Sequence, residues 1–229
     1  MKLEIRHLSR FTYRPIGYNC LMIRFLDLAN AITILSLGCG LACALLAIRQ
    51  HLAFALIALI VSGLCDLFDG FVARRLSRTK EQRLFGGRLD SLVDACSFGF
   101  APAILLFAVG LTTPAELLLI FLLPTCAIWR LAYFETTTPP GKPPRYHEGM
   151  PTTYVALFLP LGLLIGQLTP MGMRPAAIGT AIALSVAMVC RLRIPKPRGI
   201  AYIFFLLAGI ASIVALLILG GVRGQFIEP

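Results

Sequence analysis

Long apolar runs separated by short polar stretches dominate the pattern of this chain. Seven such runs can be drawn, at about 28–48, 52–73, 89–111, 115–135, 152–169, 175–190 and 200–220. Several approach the roughly 20 residues that a helix needs to cross a bilayer. The pattern therefore predicts an all-α, polytopic integral membrane helical bundle of about seven spans.

The composition supports a membrane protein with no soluble domain of any size. The 229 residues are 58% hydrophobic and only 14% charged, whereas about 25% is usual for soluble domains. Residues 1–25 mix basic and apolar side chains, which predicts an amphipathic interfacial helix. We therefore divide the chain into this juxtamembrane segment, a membrane core at 26–199, and an additional C-terminal span and tail at 200–229.

The basic residues predict the orientation of the bundle. With the N-terminus in the cytoplasm, all but Arg49, Arg174 and Arg223 of the 21 lysines and arginines fall on the cytoplasmic side, as the positive-inside rule expects. The net charge of +10 then describes a basic face suited to anionic lipid heads and does not indicate nucleic-acid binding. We expect an integral protein of the cytoplasmic membrane.

Four aspartates interrupt this hydrophobic sequence within a short window. Asp66, Asp69, Asp90 and Asp94 make up four of only 11 acidic residues in the chain. The first two are spaced i, i+3 at the end of the second span, and the last two i, i+4 at the start of the third, so each pair shares a helix face. A hairpin of these two spans would bring the pairs together at the cytoplasmic boundary.

Carboxylates that converge in a partly dry site repel one another, and one or two divalent cations would relieve this repulsion. Oxygen ligands favour Mg²⁺ or Mn²⁺. The small residues Gly70, Ala73 and Gly86 would let a ligand approach the backbone, and Arg74 could grip a phosphate bidentately. Together these residues suggest a nucleoside diphosphate bound through Mg²⁺. A cation or proton transporter that uses the aspartates is the alternative from another class.

The order of these residues resembles the motif of the CDP-alcohol phosphotransferase family. Asp66 to Arg74 reads DxxDGxxAR, and Gly86 to Asp94 reads GxxxDxxxD, so all eight fixed positions match. The family usually has about eight residues between the Arg and the second Gly, whereas this chain has the eleven residues 75–85. We therefore expect a longer connecting loop.

Within the family, the chain most resembles the phosphatidylserine synthases. The resemblance rests on LDSLVDACSFGFAPAILL, on LANAITILSLGCGL with Asn30 and Thr33, on RLAYF followed by a GMP step, and on CRLRIPKP. It covers roughly residues 28–198, a six-span core that the seventh span follows. The chain departs from these enzymes at residues 152–154, where they more often have small or apolar residues. It also departs at Glu135, where an Asn is common.

The resemblance implies a phosphatidyl transfer from CDP-diacylglycerol to a small alcohol, with release of CMP. It implies two Mg²⁺ or Mn²⁺ ions on Asp66, Asp69 and Asp90, and Asp94 as the general base that also touches a metal. It assigns the CDP-lipid site to Gly70, Ala73, Arg74, Gly86, Asn30 and Thr33. It also implies a homodimer.

L-Serine is the acceptor that the resemblance favours. Candidates for contact with its carboxylate, or with a lipid phosphate, are Arg130, Arg145, Arg191 and Arg193. Glycerol 3-phosphate or an inositol phosphate as acceptor, and an archaeal-type lipid as donor, are alternatives with the same chemistry. A third possibility is a lipid-binding protein that has kept the fold and lost the activity.

Overall fold

The computed structural model describes residues 25–137, 146–190, 193–195 and 200–223. Within these ranges the chain forms seven helices and one two-stranded ribbon. In chain order they are α1 (Leu28–Ile48), α2 (Leu52–Ala73), α3 (Lys80–Ala108), α4 (Pro114–Thr137), β1 (Tyr146–Glu148), α5 (Val155–Leu168), α6 (Met173–Val189), β2 (Arg193–Pro195) and α7 (Ile200–Arg223).

The predicted class of helical membrane protein is confirmed. Helices α1 to α4 are long and apolar enough to cross a membrane, and α5, α6 and the 205–218 part of α7 are shorter apolar helices. Large apolar side chains such as Phe121 and Trp129 are exposed on the outside of the bundle, as lipid-facing residues would be. The predicted interfacial helix at 1–25 lies almost entirely outside the described residues.

Helix α3 begins earlier than the sequence pattern predicted. It starts at Lys80 rather than at 89, because Thr79 and Gln82 form a capping box that supplies partners for the first free N–H groups. The connection from α2 is therefore only residues 74–79, and residues 80–85 of the eleven-residue interval before Gly86 are helical. After Asp94 the helix passes through a π-helical segment, Ala95–Phe100, and continues as Ala101–Ala108.

Small and hydroxyl residues bring the first three helices and α5 close together. Ser36 and Ser62 donate to each other's carbonyl oxygen at 3.0 and 2.9 Å, which ties α1 to α2. A Cβ on Gly40 would lie 2.9 Å from Cα of Ser97 in α3. A Cβ on Gly63 would lie 2.5 Å from Cβ of Ala156 in α5. This close packing places the aspartate-bearing parts of α2 and α3 side by side.

The polar connections at the same end of the bundle meet in the ribbon. Strand β1 pairs antiparallel with β2, with Tyr146 opposite Pro195 and Glu148 opposite Arg193. The ribbon joins the connection between α4 and α5 to the connection between α6 and α7. The pairing of these two segments was not predicted from the sequence. Helix α7 packs on α2, where Gly209 lies against Ile60.

Candidate active site

Three of the four aspartates form one cluster between α2 and α3. Oxygen atoms of Asp66, Asp90 and Asp94 all lie within 4.8 Å of one another. Asp66 comes from the last two turns of α2, and Asp90 and Asp94 from successive turns of α3. The hairpin thus brings residues of the two predicted pairs together, as the spacing led us to expect.

Asp69 lies beside this cluster and has a partner of its own. Its carboxylate accepts a hydrogen bond of 2.5 Å from the hydroxyl of Thr33 in α1, and both residues are buried. Thr33 also reaches the carbonyl of Ala29 at 3.1 Å. The first helix therefore fixes the orientation of Asp69 from one side.

Two further threonines hold the cluster from the other side. Thr152 donates to Oδ2 of Asp94 at 3.0 Å, and Thr153 donates to Oδ2 of Asp66 at 2.7 Å. Both belong to the single 3₁₀ turn Thr152–Tyr154 that leads into α5. In the sequence, these positions differed from the phosphatidylserine synthases, and no role was predicted for them. Two adjacent threonine hydroxyls at the start of an apolar span were the feature of the sequence that could have indicated this role.

The donor atoms of the cluster suit a hard divalent cation. Three carboxylates offer oxygen ligands, which are the kind that Mg²⁺ and Mn²⁺ prefer. Oδ1 of Asp94 is buried and has no hydrogen-bond partner within the described part of the chain. A buried carboxylate oxygen without a partner is costly, and a cation or a substrate proton would satisfy it.

A cavity of about 450 Å³ opens on one side of the cluster, between α1, α2 and α3. All six residues predicted to bind the CDP-lipid line it. The full lining is Ala29, Asn30, Thr33, Asp69, Gly70, Ala73, Arg74, Leu76, Arg78, Arg83, Gly86, Gly87 and Asp90. We call this space the first cavity.

Arg78 forms part of the wall of the first cavity and was not predicted from the sequence. Its side chain is buried, forms a salt bridge with Asp27 and donates to Oδ1 of Asn30 at 3.1 Å. Asp27 is also the N-cap of α1. Although partial burial opposes ionisation of Asp27, the bonds from Arg78 and from the backbone N–H of Asn30 lower its pKa below the ordinary value. The connection between α2 and α3 is thus tied to the start of α1.

A second cavity, of about 300 Å³, lies on the other side of the cluster and shares Asp69, Gly70, Gly87 and Asp90 with the first. Arg130 in α4 lines it, is only 8% exposed, and has a buried Nε without a hydrogen-bond partner in the described residues. Glu135, an exposed residue of the same helix, also lines it and accepts a hydrogen bond of 2.9 Å from Ser91. The second cavity therefore combines a buried guanidinium and the carboxylate of Glu135 with Asp94 of the cluster.

Among the four arginines proposed for the acceptor or a phosphate, the structure places the side chain of Arg130 at the cluster. Arg145 and Arg191 lie outside the described residues. The backbone of Arg193 is in β2, and its side chain is outside the description.

Comparison with known proteins identifies the family. The sequence profile of the CDP-alcohol phosphatidyltransferase family matches residues 26–218. The chain belongs to the CDP-alcohol phosphatidyltransferase family, and the resemblance drawn from the aspartate motif is confirmed.

Several curated relatives carry related names. The chain is 39% identical over 158 residues to the CDP-diacylglycerol–serine O-phosphatidyltransferase of Mycobacterium leprae, covering 67% of this chain and 51% of that protein. It is 31% identical over 159 residues to the Bacillus subtilis protein of the same name, covering 67% and 83%. It is 31% identical over 176 residues to the archaetidylserine synthase of Methanothermobacter thermautotrophicus, covering 76% and 72%. The match thus spans about half the length of the M. leprae relative.

Proposed function

We propose that this chain transfers a phosphatidyl group from CDP-diacylglycerol to L-serine and releases CMP. The observation that carries the proposal is that two cavities meet at one aspartate cluster. Six of the eight motif residues line the first cavity, and the buried guanidinium of Arg130 and the carboxylate of Glu135 line the second. Two substrates could therefore approach the same carboxylates from opposite sides.

The first cavity suits the nucleotide part of the donor. The absence of large side chains at Gly70, Ala73 and Gly86 leaves room for cytidine beside the backbone. Arg74 at the rim is placed to contact the pyrophosphate, because a guanidinium pairs well with phosphate oxygens. The acyl chains would stay in the bilayer beside the exposed apolar surface of the helices.

Asp66, Asp69 and Asp90 would hold two divalent ions, Mg²⁺ or Mn²⁺, with Asp94 at the edge of the same site. When bound, such ions neutralise the pyrophosphate and polarise the phosphoryl oxygens. Because oxygen atoms of Asp66 and Asp90 already lie within 4.8 Å of each other, these two ligands need little rearrangement.

Asp94 is the proposed general base. Its unpartnered Oδ1 would accept the proton of the serine hydroxyl. The serine oxygen then forms a bond to the β-phosphorus, and the bond from that phosphorus to the oxygen of the CMP leaving group breaks. The proton on Asp94 returns to solvent before the next turnover.

The second cavity suits a zwitterionic acceptor. Arg130 is placed to pair with the carboxylate of serine, and Glu135 is placed to attract its ammonium group. Glycerol 3-phosphate would instead bring a doubly charged phosphate towards Glu135, which opposes its binding. Arg145, Arg191 and Arg193 stay proposals for contacts with a lipid phosphate or with anionic lipids.

The distribution of basic residues supports an orientation in which the cluster lies at the cytoplasmic face of the membrane. Serine and CMP could then exchange with the cytosol. The cytoplasmic membrane as location, and the homodimer implied by the family, are parts of this proposal.

An archaeal-type donor lipid is the second candidate. It is supported by the similarity to an archaetidylserine synthase, which extends over 72% of that protein. The same aspartate cluster and the same acceptor cavity would serve either donor, since the difference lies in the lipid chains.

The test is CMP release by purified protein with CDP-diacylglycerol or its ether-lipid analogue, Mn²⁺ or Mg²⁺, and a panel of acceptors. Serine, glycerol 3-phosphate and inositol phosphate are compared. Serine-dependent release would support the proposal. Release with another acceptor would refute serine, and the absence of both CMP release and metal-dependent CDP-lipid binding would favour a transporter.

The proposed contacts of Arg130 and Glu135 with serine can be tested by comparing two acceptors. Glu135→Gln should raise KM for serine but leave KM for 3-hydroxypropionate, which lacks the ammonium group, nearly unchanged. Arg130→Gln should impair both, because both acceptors carry a carboxylate. An equal effect of Glu135→Gln on the two acceptors would contradict the proposed ammonium contact.

A further inference from the structure

We propose that Thr152 and Thr153 are positioning residues with separate roles: Thr152 orients the general base, and Thr153 orients a metal ligand. The inference rests on the proposed function for the role of Asp94. Neither threonine is part of the family motif on which the donor and metal sites were assigned.

Thr152 controls which oxygen of Asp94 is available. Its hydroxyl donates to Oδ2 at 3.0 Å, whereas Oδ1 is buried without a hydrogen-bond partner in the described chain. A carboxylate can rotate about its Cβ–Cγ bond, so a single fixed donor decides which oxygen stays free. Because Thr152 is itself only 1% exposed, its hydroxyl has little freedom to turn away. Thr152 thus keeps Oδ1 ready to accept a proton.

Thr153 acts on a different carboxylate. Its hydroxyl donates to Oδ2 of Asp66 at 2.7 Å, and Asp66 belongs to the cluster that could bind a metal. A hydrogen bond to a ligating carboxylate fixes its orientation and tunes the affinity of the site. Thr153 therefore holds Asp66 in place as a ligand.

The 3₁₀ turn explains how neighbouring residues reach two helices. Such a turn has about three residues per turn, so adjacent side chains point roughly 120° apart. One hydroxyl accordingly reaches α3, and the next reaches α2.

The turn is itself anchored to the end of α6. The N–H of Met150 donates to the carbonyl of Ala187 at 3.0 Å. Gly149 has φ of +81°, and a Cβ there would lie 2.5 Å from the carbonyl oxygen of Met188. Only glycine tolerates this combination, so the position of the two threonines is fixed by the backbone and not by the carboxylates alone.

Replacement by Val or Ser separates positioning from packing. Val keeps nearly the volume of Thr and removes the hydroxyl, whereas Ser keeps the hydroxyl and removes a methyl group. If the threonines only filled space, Val would be the milder change. The proposal requires the reverse order at both positions.

The experiment uses the full chain in detergent with four variants: Thr152→Val, Thr152→Ser, Thr153→Val and Thr153→Ser. Mn²⁺ binding is measured from the EPR signal of free Mn²⁺, and CMP release is measured with CDP-diacylglycerol and serine. Melting temperatures identify any variant that fails to fold, and each Ser variant then tests the position in a folded protein.

The two Val variants should change different measured quantities. Thr152→Val should lower kcat by roughly 10- to 100-fold, with Mn²⁺ affinity and donor KM close to wild type. Thr153→Val should weaken Mn²⁺ binding by about tenfold or more, and kcat should recover at saturating Mn²⁺. Both Ser variants should stay near wild type.

Three results would overturn the proposal. They are Ser variants as impaired as the Val variants, equal losses of Mn²⁺ affinity in both Val variants, or wild-type kcat in Thr152→Val. A wild-type protein that releases no CMP with any acceptor would refute the proposed function instead. The Mn²⁺ titration would then still decide between separate and shared roles for the two threonines.

Discussion

Replacing Gly86 with Ala tests how closely the first cavity is built around its ligand. A Cβ at this position would lie 3.0 Å from Oδ1 of Asn30 and 3.1 Å from Nη1 of Arg78. These distances are shorter than an ordinary contact, so one of the two side chains must move. The contact at risk is the 3.1 Å hydrogen bond from Arg78 to Asn30, which forms part of the cavity wall.

The added Cβ displaces side chains of the cavity wall and so weakens the wall's contacts with the donor. Loss of one hydrogen bond between a charged group and the donor costs about 1.5–3 kcal/mol, which corresponds to roughly 10- to 100-fold weaker binding of the donor. In contrast, Ala is favoured over Gly in a helix by up to about 1 kcal/mol. We therefore expect Gly86→Ala to lose donor affinity without a matching loss of thermal stability.

The assay is calorimetric titration of the full chain in detergent with CDP and Mn²⁺ at pH 7. At this pH Asp27, whose pKa is lowered, is ionised and the salt bridge to Arg78 is intact. Gly179→Ala in α6 is the matched control, since a Cβ there would meet no atom within 4 Å. Wild-type affinity in Gly86→Ala would refute the assignment of the first cavity to the nucleotide.

Four further variants test other parts of the structure. Asp94→Asn should keep donor binding and lose turnover, whereas Asp66→Asn should lose metal-dependent donor binding; near-normal turnover of Asp94→Asn would refute its role as base. Gly149→Ala should lower both the melting temperature and kcat, because it strains the turn that carries the threonines; an unchanged kcat would argue against that anchor. Arg174→Gln breaks the bidentate pair with Glu116, at 2.8 and 3.0 Å, and should lower the melting temperature while the KM values for donor and serine stay unchanged. A change in those KM values would contradict the separation of this pair from the active site, which lies near the opposite end of α4.

The parts of the fold that were predictable are those in which one physical constraint dominates. Long apolar runs specify helices because a bilayer leaves backbone groups no partners outside the helix. The spacing of the aspartates predicted shared helix faces because residues three or four apart lie on the same side of a helix. The start of α3 was missed because its first turns are polar, although the capping box of Thr79 and Gln82 was a local signal.

The other contacts that were missed join distant parts of the chain. Thr153 reaches Asp66, 87 residues away in sequence, and Arg78 reaches Asp27, 51 residues away. Periodicity describes one helix at a time and carries no information about which residues of two helices meet. Such contacts depend on the crossing of packed helices, and here on the close approaches at Gly40 and Gly63.

The central claim is the transfer of a phosphatidyl group to serine at the aspartate cluster. The most direct measurement is the incorporation of radiolabelled serine into lipid by purified protein, counted against CMP released in the same reaction. We expect phosphatidylserine and CMP in equal amounts for the wild type, and neither product for Asp94→Asn. CMP release without labelled lipid, or labelled lipid from Asp94→Asn at the wild-type rate, would contradict it.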